Sequence, residues 1–464
     1  MRGKACILGG VSTHDTQTRT RAMSSNADVK KLDRSYVFHS WSAQDLIDPL
    51  PVHSGEGSYF WDFEGNRYLD FSSQLVNLNL GHQHPRLINA IKQQADTLCT
   101  LAPSFSDKTR SELAERIVNA AGSDTFSSVF FTNGGAEAVE NAVRMARLHT
   151  NRRKVMAMYR SYHGATSTAI SLTGDPRRWA NEPGDSSVVH FFGPYPYRSP
   201  FYSSSEEEET TRALEHLNHQ IQVEGPNTIA AIIIESVVGT NGILVPPPGY
   251  LEGVRKICDT YGILYIADEV MAGFGRTGTI FAFQNFNVTP DLITFAKGVN
   301  SGYIPLGGVV ISKPVRDTFS TRSFPGGLTY SGHPLACAPG VETFKIFEEE
   351  KILEHVQQLA REVVAPRLEQ LKNTHECVGD VRGLGLFWAI ELVKDKNTRE
   401  PLVPFNPTVE ENAPMNALVA ECKKRGLWPL THFNRMHVAP PLTISADELN
   451  VGLDIIDQAL SAVF

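Results

Sequence analysis

Cysteine is scarce in this chain. Six residues, at positions 6, 99, 258, 337, 377 and 422, are scattered through 464 with no CxxC pair. Neither a disulfide framework nor a zinc ribbon organises the sequence, and the thiols read as those of an intracellular enzyme. There is no excess of positive charge: 43 Lys+Arg stand against 51 Asp+Glu, a net charge of −8. That leaves no basic surface of the kind a nucleic-acid partner needs. No apolar run reaches the roughly 18 residues required to cross a bilayer, so no membrane span is expected. Metal ligands are missing too. His82 and His84 stand before Pro85 in a turn, and His432 and His437 have no third or fourth partner at suitable spacing. Arg276-Thr277-Gly278 is not followed by Gly-Lys-Ser/Thr, so a nucleotide-binding loop is unsupported. Low complexity is confined to Ser203–Glu209, where four glutamates suit the positive end of a surface helix.

What is present is globular: 41% hydrophobic and 20% charged residues, in a chain long enough for two or three domains. Residues 1–31 differ from the rest. Arg2, Lys4, Arg19, Arg21, Lys30 and Lys31 face only Asp15 and Asp28 among Ser and Thr. The segment reads as a disordered tail before a second Met at position 23, or as a targeting segment. The location expected is cytoplasmic, or mitochondrial if that segment is a transit peptide. After Trp41 the composition is even, with no internal repeat.

Short apolar runs at Ser128–Phe131, Lys154–Met158, Ile229–Ile234, Ile263–Ala267, Leu292–Phe295 and Val309–Ser312 predict strands. Helical stripes lie between several of them: Val139, Ala142, Val143 and Ala146 after Gly135, and Leu251, Val254, Ile257, Cys258 and Tyr261 before Gly262. Fully apolar strands alternating with amphipathic helices imply an α/β fold with a mostly parallel sheet covered on both faces. Ser445 and Glu448 form a capping box ahead of Leu449, Leu453, Ile456 and Leu460, which predicts a docked terminal helix in a second, smaller unit.

Ligands of such sheets bind beyond the carboxyl ends of the strands. Asp268 follows one predicted strand, Lys297 another, and Gly134-Gly135 a third. Asp268 alone reads equally well as a turn former. A lysine directly behind a buried strand is different: it has no surface to lie along, and a desolvated amine is a nucleophile able to form a Schiff base. Glycines opening a helix leave N–H groups for an anion. An amine for an aldehyde, a carboxylate for a ring cation and a cradle for a phosphate are what pyridoxal 5'-phosphate requires.

The segment Ile266-Ala267-Asp268-Glu269-Val270-Met271-Ala272-Gly273-Phe274-Gly275-Arg276-Thr277-Gly278 resembles the central motif of the class III, ω-amino acid:pyruvate type, aminotransferases. Thr294-Phe295-Ala296-Lys297-Gly298 with Pro305-Leu306-Gly307-Gly308 resembles their lysine segment. The likeness runs from about Trp41 to the C-terminus. It implies a pyridoxal-phosphate-dependent transferase of fold type I. Residues 32–84 and 346–464 would form a small α+β domain from both chain ends, and 85–345 the large cofactor domain with a seven-stranded sheet.

Position by position, the resemblance implies that Lys297 holds the cofactor and shuttles the substrate proton. Asp268 would keep the pyridine nitrogen protonated. Val270 would cover one ring face and Tyr162, followed by His163, the other, although an aromatic after a strand also reads as core. Asn133, Gly134, Gly135 and Ala136 would line the phosphate cup, with Gly134-Gly135-Ala136 in place of the family's hydroxyl-bearing Ser-Gly-Ser. Glu235 would sit near the substrate end. Thr329 would reach the phosphate of a neighbouring subunit, implying a homodimer or dimer of dimers with shared active sites.

Trp41, Leu75, Val76, Tyr162 and Thr240 would surround the substrate. Arg435, in a loop shorter than the family's common pattern, is either a carboxylate clamp or a surface arginine. The activity implied is ping-pong transfer of an amino group from an ω-amino acid, a taurine-like sulfonate or a primary amine to pyruvate or a similar oxo acid. An aminomutase or decarboxylase of the same fold, or a non-catalytic cofactor-binding protein, is the alternative.

Overall fold

The computed structural model describes residues 25–464. Most of the segment expected to be a tail or targeting sequence lies outside the described residues. The rest of it belongs to a helix, Asn26–Tyr36, whose N-cap Ser25 accepts the N–H of Asp28. The chain divides into two units. One comprises residues 25–54 with Trp61–Asn66, where Asn26 donates to Asp62 at 3.0 Å and accepts the N–H of Phe63 at 3.0 Å. The other comprises Gly55–Phe60 and Arg67–Phe464.

The second unit is organised by a seven-stranded sheet. Its spatial order is Phe126–Thr132, Gly307–Ser312, Leu292–Phe295, Leu264–Asp268, Ile229–Glu235, Lys154–Met158 and Val188–Phe191. Only Gly307–Ser312 runs against its neighbours; the remaining pairs are parallel. Ile229–Glu235 is buried along its whole length, which is why it reads as an unbroken apolar run. Its residues nonetheless alternate. Ile232 and Ile234 pack with Leu113, Leu217 and Val254 of three helices, Lys108–Ala121, Glu206–Glu224 and Tyr250–Tyr261. Ala231 and Ile233 pack with Ala138, Val139 and Ala142 of the helix Gly135–Thr150 on the other face.

The strand Val188–Phe191 escaped the sequence reading. It is a short edge strand with only its last residue fully buried, so it carries no apolar run. The helix at Glu206 forms, capped by Ser205. Its acids are not all solvated, however: Glu209 is buried and accepts the N–H of Tyr195 at 2.7 Å and the hydroxyls of Ser199 and Ser203.

A smaller antiparallel sheet orders Val378–Leu384, Phe387–Asp395, Arg435–Val438 and Leu430–His432. The terminal helix Ala446–Val463 carries the expected reciprocal capping box of Ser445 and Glu448 and buries Leu449, Leu453, Ile456 and Leu460. Arg67–Asp70 pairs in parallel with Leu427–Trp428, so residues from both chain ends share this region. Among the described residues no helix is long and apolar enough to cross a membrane, and no group of side chains suits a metal ion. His82 instead hydrogen-bonds the buried Asp70 at 3.0 Å.

Candidate active site

Parallel register brings the strand ends together. Glu235 pairs with Asp268, and Asp268 with Thr294, three residues before Lys297. Because side chains alternate, Glu235 and Asp268 share the face that carries Ala231, Ile233 and Ile266, the face covered by the helix Gly135–Thr150. A cavity of about 240 Å³ lies there. Of the residues named from sequence it is lined by Gly135, Ala136, Tyr162, His163, Glu235, Thr240, Asp268, Val270 and Lys297. Gly164, Ala165 and Met271 complete the lining without having been expected. Met271 lies inside the quoted segment 266–278, and Gly164 and Ala165 directly follow Tyr162 and His163, so adjacency was the available signal.

Lys297 opens a single 3-10 turn, Lys297–Asn300, with φ +47°. A left-handed lysine is a costly conformation, held here by tight packing: a Cβ on the next residue, Gly298, would fall 2.3 Å from the Asn79 amide nitrogen. Among the described residues its Nζ has no hydrogen bond or ion pair. Burial lowers the amine to about 8, with Glu235 and Asp268 pulling it up and Arg177 and Arg276 pushing it down.

Asp268 is fixed on both oxygens. Oδ2 contacts His163 Nδ1 at 2.7 Å, and Oδ1 accepts the N–H of Val270 at 3.0 Å. Burial disfavours the His163 imidazolium, but the hydrogen bond and charge of Asp268 outweigh it and raise its pKa. Glu235 accepts the N–H of Tyr162 at 2.9 Å and of Gly239 at 2.8 Å. Burial, with Asp268 adding to it, raises its carboxyl to about 7 against the opposing pull of His163 and those two N–H groups.

The helix Gly135–Thr150 begins after Gly134, which provides no side-chain cap. The N–H groups of its first turn are therefore left for an anion. A Cβ at Gly135 would lie 2.7 Å from Val270 Cγ1, and one at Gly164 2.6 Å from Ala136 Cβ. Glycine at both places lets the helix start approach the carboxylate and the aromatic segment.

Other expected residues stand apart from the lining. Asn133 is engaged with Glu137, donating its N–H at 2.8 Å. Leu75 is exposed, while Val76 is buried against Val237, Ile243 and Ala272. Thr329 is exposed. Trp41 belongs to the first unit and is exposed. Arg435 is 2% exposed, which removes the surface reading. It donates Nε–H to the His432 carbonyl at 3.3 Å and pairs across the strands with Glu391. The ion pairs of that glutamate are with Arg198 and Arg382. Arg276 is fully buried, and its guanidinium binds the carbonyls of Leu386 and Pro440, Ser73 Oγ and Asn79 Oδ1. It is a structural clamp.

Chemically, the cavity joins an unpaired nucleophilic amine, a carboxylate fixed by a histidine and a helix start open to a dianion. Residues 42–460 match the model of the family described as aminotransferase class-III. The chain is 34% identical over 440 residues to a probable gamma-aminobutyrate transaminase 2, mitochondrial, of Oryza sativa subsp. indica, covering 91% of this chain and 86% of that protein. It is 44% identical, with a TM-score of 0.91, to a taurine:2-oxoglutarate aminotransferase from Bifidobacterium kashiwanohense solved with PLP and glutamate, covering 95% and 98% of the two chains. An (S)-enantioselective omega-transaminase from Thermomicrobium roseum is 36% identical, with a TM-score of 0.89, over 95% and 99% of the chains. With the family model spanning most of its length and relatives this similar over nearly the whole chain, the chain belongs to the class III aminotransferases.

Proposed function

We propose that this aminotransferase binds pyridoxal phosphate through Lys297 and moves an amino group from an ω-amino acid or ω-amino sulfonate to pyruvate or 2-oxoglutarate. The observation that carries the reading is the Lys297 amine, unpaired among the described residues, in a cavity also lined by the Asp268–His163 pair. The residues fit the cofactor. Lys297 would hold its aldehyde carbon, Asp268 its ring nitrogen, Val270 and Tyr162 its two faces, and the helix start at Gly135 and Ala136 its phosphate. When bound, the cofactor supplies an electron sink for a carbon losing its proton and stores the amino group between the two halves of the exchange.

The protein supplies the rest. An amine with its pKa near 8 takes and returns a proton at Nζ close to neutral pH. His163 holds Asp268 in one orientation through the contact of its Nδ1 with Oδ2. Glu235 ties the Tyr162 backbone to Gly239, which fixes the aromatic wall relative to Thr240. Val270, Met271 and Ala136 give the cavity apolar sides that limit water. Donors and acceptors bearing an anion are favoured because the relatives act on them: gamma-aminobutyrate in the rice protein, taurine and 2-oxoglutarate in the Bifidobacterium one. We also infer a homodimer or dimer of dimers, in which the exposed Thr329 serves the partner's site.

Borohydride reduction of the coloured protein should attach the cofactor to the peptide containing Lys297; attachment elsewhere would refute the assignment. A donor panel of taurine, β-alanine, 4-aminobutyrate and 1-phenylethylamine against pyruvate and 2-oxoglutarate identifies the substrates. Carbon dioxide release, or return of an isomer, would instead mean a different reaction on the same site.

A further inference from the structure

Arg276 is a buried cation whose hydrogen-bond partners are all neutral. Its guanidinium binds the carbonyls of Leu386, at 3.1 Å, and of Pro440, with Ser73 Oγ at 3.2 Å and Asn79 Oδ1 at 3.1 Å. Its Nε has no hydrogen bond among the described residues. Burial lowers its pKa to about 9 against the pull of Asp70. A guanidinium taken out of water without a paired carboxylate is costly. Local costs of this kind are expected where they serve a site. One acceptor, Asn79, leads directly to such a place.

Asn79 is buried and donates its Nδ2 to the Phe274 carbonyl at 2.7 Å. Its own carbonyl accepts the N–H of Leu442 at 2.7 Å. The same Nδ2 would stand 2.3 Å from a Cβ on Gly298, the residue after Lys297. Two further contacts join this stretch to the lysine turn. The N–H of Leu80 donates to the buried Ser301 Oγ at 2.7 Å. A Cβ on Gly302 would fall 2.2 Å from Asn77 Nδ2. The turn is closed by the N–H of Gly302 on the Lys297 carbonyl at 2.9 Å. It needs outside support, because Lys297 at φ +47°, Ser301 at φ +58° and Gly302 at φ +70° are all left-handed and two of them carry side chains. Residues 77–80 supply that support from about 220 positions away. Arg276 in turn ties Asn79 to Leu386 and Pro440.

We propose that Arg276 is a positioning residue for Lys297: it pins Asn79 against Gly298 and so fixes the left-handed turn from which the amine enters the cavity. A planar, multiply donating head is needed to bind four acceptors from separate stretches at once, which an ammonium on a flexible stem does not match. The charge of Arg276 adds to the effect. Burial first, then Arg177 and Arg276, lower the Lys297 amine against the pull of Glu235 and Asp268, and the neutral amine is the form that attacks an aldehyde. The assignment rests on the transaminase reading above and extends it to a residue outside the cavity lining.

The test compares wild type, Asn79→Ala, Arg276→Lys and Arg276→Met. Each apoprotein is loaded with pyridoxal phosphate across pH 6–10, and the rate is followed by absorbance; borohydride reduction and peptide mapping assign the label to Lys297. Thermal unfolding of the same samples reports stability. Asn79→Ala, which keeps the arginine but removes the relay, should slow loading at pH 8 by roughly ten- to a hundredfold. Arg276→Lys should slow loading while leaving its pH midpoint near that of wild type. Arg276→Met should slow it and also move the midpoint up by roughly half a unit, since a repelling charge is gone. A merely structural clamp would lower Tm in these variants and leave the rate and pH midpoint of loading at Lys297 unchanged, and that result overturns the proposal. If the Arg276 variants do not fold, Asn79→Ala decides alone: slower loading supports the relay, and wild-type loading refutes it. Wild type that loads at Lys297 but converts no donor would defeat the transaminase reading, while the loading rates would still judge Arg276.

Discussion

The Lys297 amine is the group that the fold holds at a cost, and that cost is measurable. Its pKa falls from 10.5 to about 8 on folding. At about 1.4 kcal/mol per unit, full conversion of that shift is roughly 3 kcal/mol, and screening by water in the cavity reduces it to about 1–3 kcal/mol. The unfolded chain binds the proton more tightly than the native one. The penalty is therefore fully present below pH 8 and disappears as pH rises from 8 to 10.5. Lys297→Met removes the charge and keeps an unbranched stem of similar length, with the same cost for φ +47°. The cofactor-free variant should be more stable than cofactor-free wild type at pH 7. With an unfolding entropy near 2.1 cal/mol/K per residue over 464 residues, 1 kcal/mol corresponds to about 1 °C, so Tm should rise by about 1–3 °C. The gap should close at pH 10.5. Thermal unfolding of the two apoproteins across pH 7–10.5 checks this. A variant no more stable than wild type at pH 7, or a gap independent of pH, would refute the desolvated-lysine argument on which the site rests.

Asp268→Asn should retain bound cofactor but lower kcat by roughly 10²–10³-fold, because a neutral amide in contact with His163 no longer balances a ring cation; steady-state rates with cofactor absorbance as the loading control check it. Gly135→Ala places a methyl 2.7 Å from Val270 Cγ1. It should weaken cofactor affinity about tenfold, from an overpacking cost of about 1–3 kcal/mol. A fluorescence titration measures the loss, and Val270→Ala in the same chain should recover much of it.

Six strands of the large sheet were legible as apolar runs because both faces of each are covered. Val188–Phe191 was not, because an edge strand buries too little to show a pattern. Nor does an apolar run state its direction, so the antiparallel Gly307–Ser312 had no signature. Lys297, Asp268 and the glycine pair stood out because each ends an element whose burial gives a polar residue nowhere else to go. Arg435 showed the opposite problem: in sequence it fitted both a clamp and a surface residue, and only its burial removed the surface reading.

The sequence by itself determined the local terms: which segments form strands and helices, where glycine permits a close approach, and which nucleophile and acid terminate the strands. Those follow from periodicity and from the backbone of single residues. Tertiary structure decided everything that depends on distance across the chain. Asp268 meets His163 over 105 positions, Glu235 meets Tyr162 over 73, and Arg177 meets the Tyr162 ring through a turn set by Asp175. Charge regulation falls with separation and burial, and neither quantity exists until the sheet register has placed the strand ends side by side.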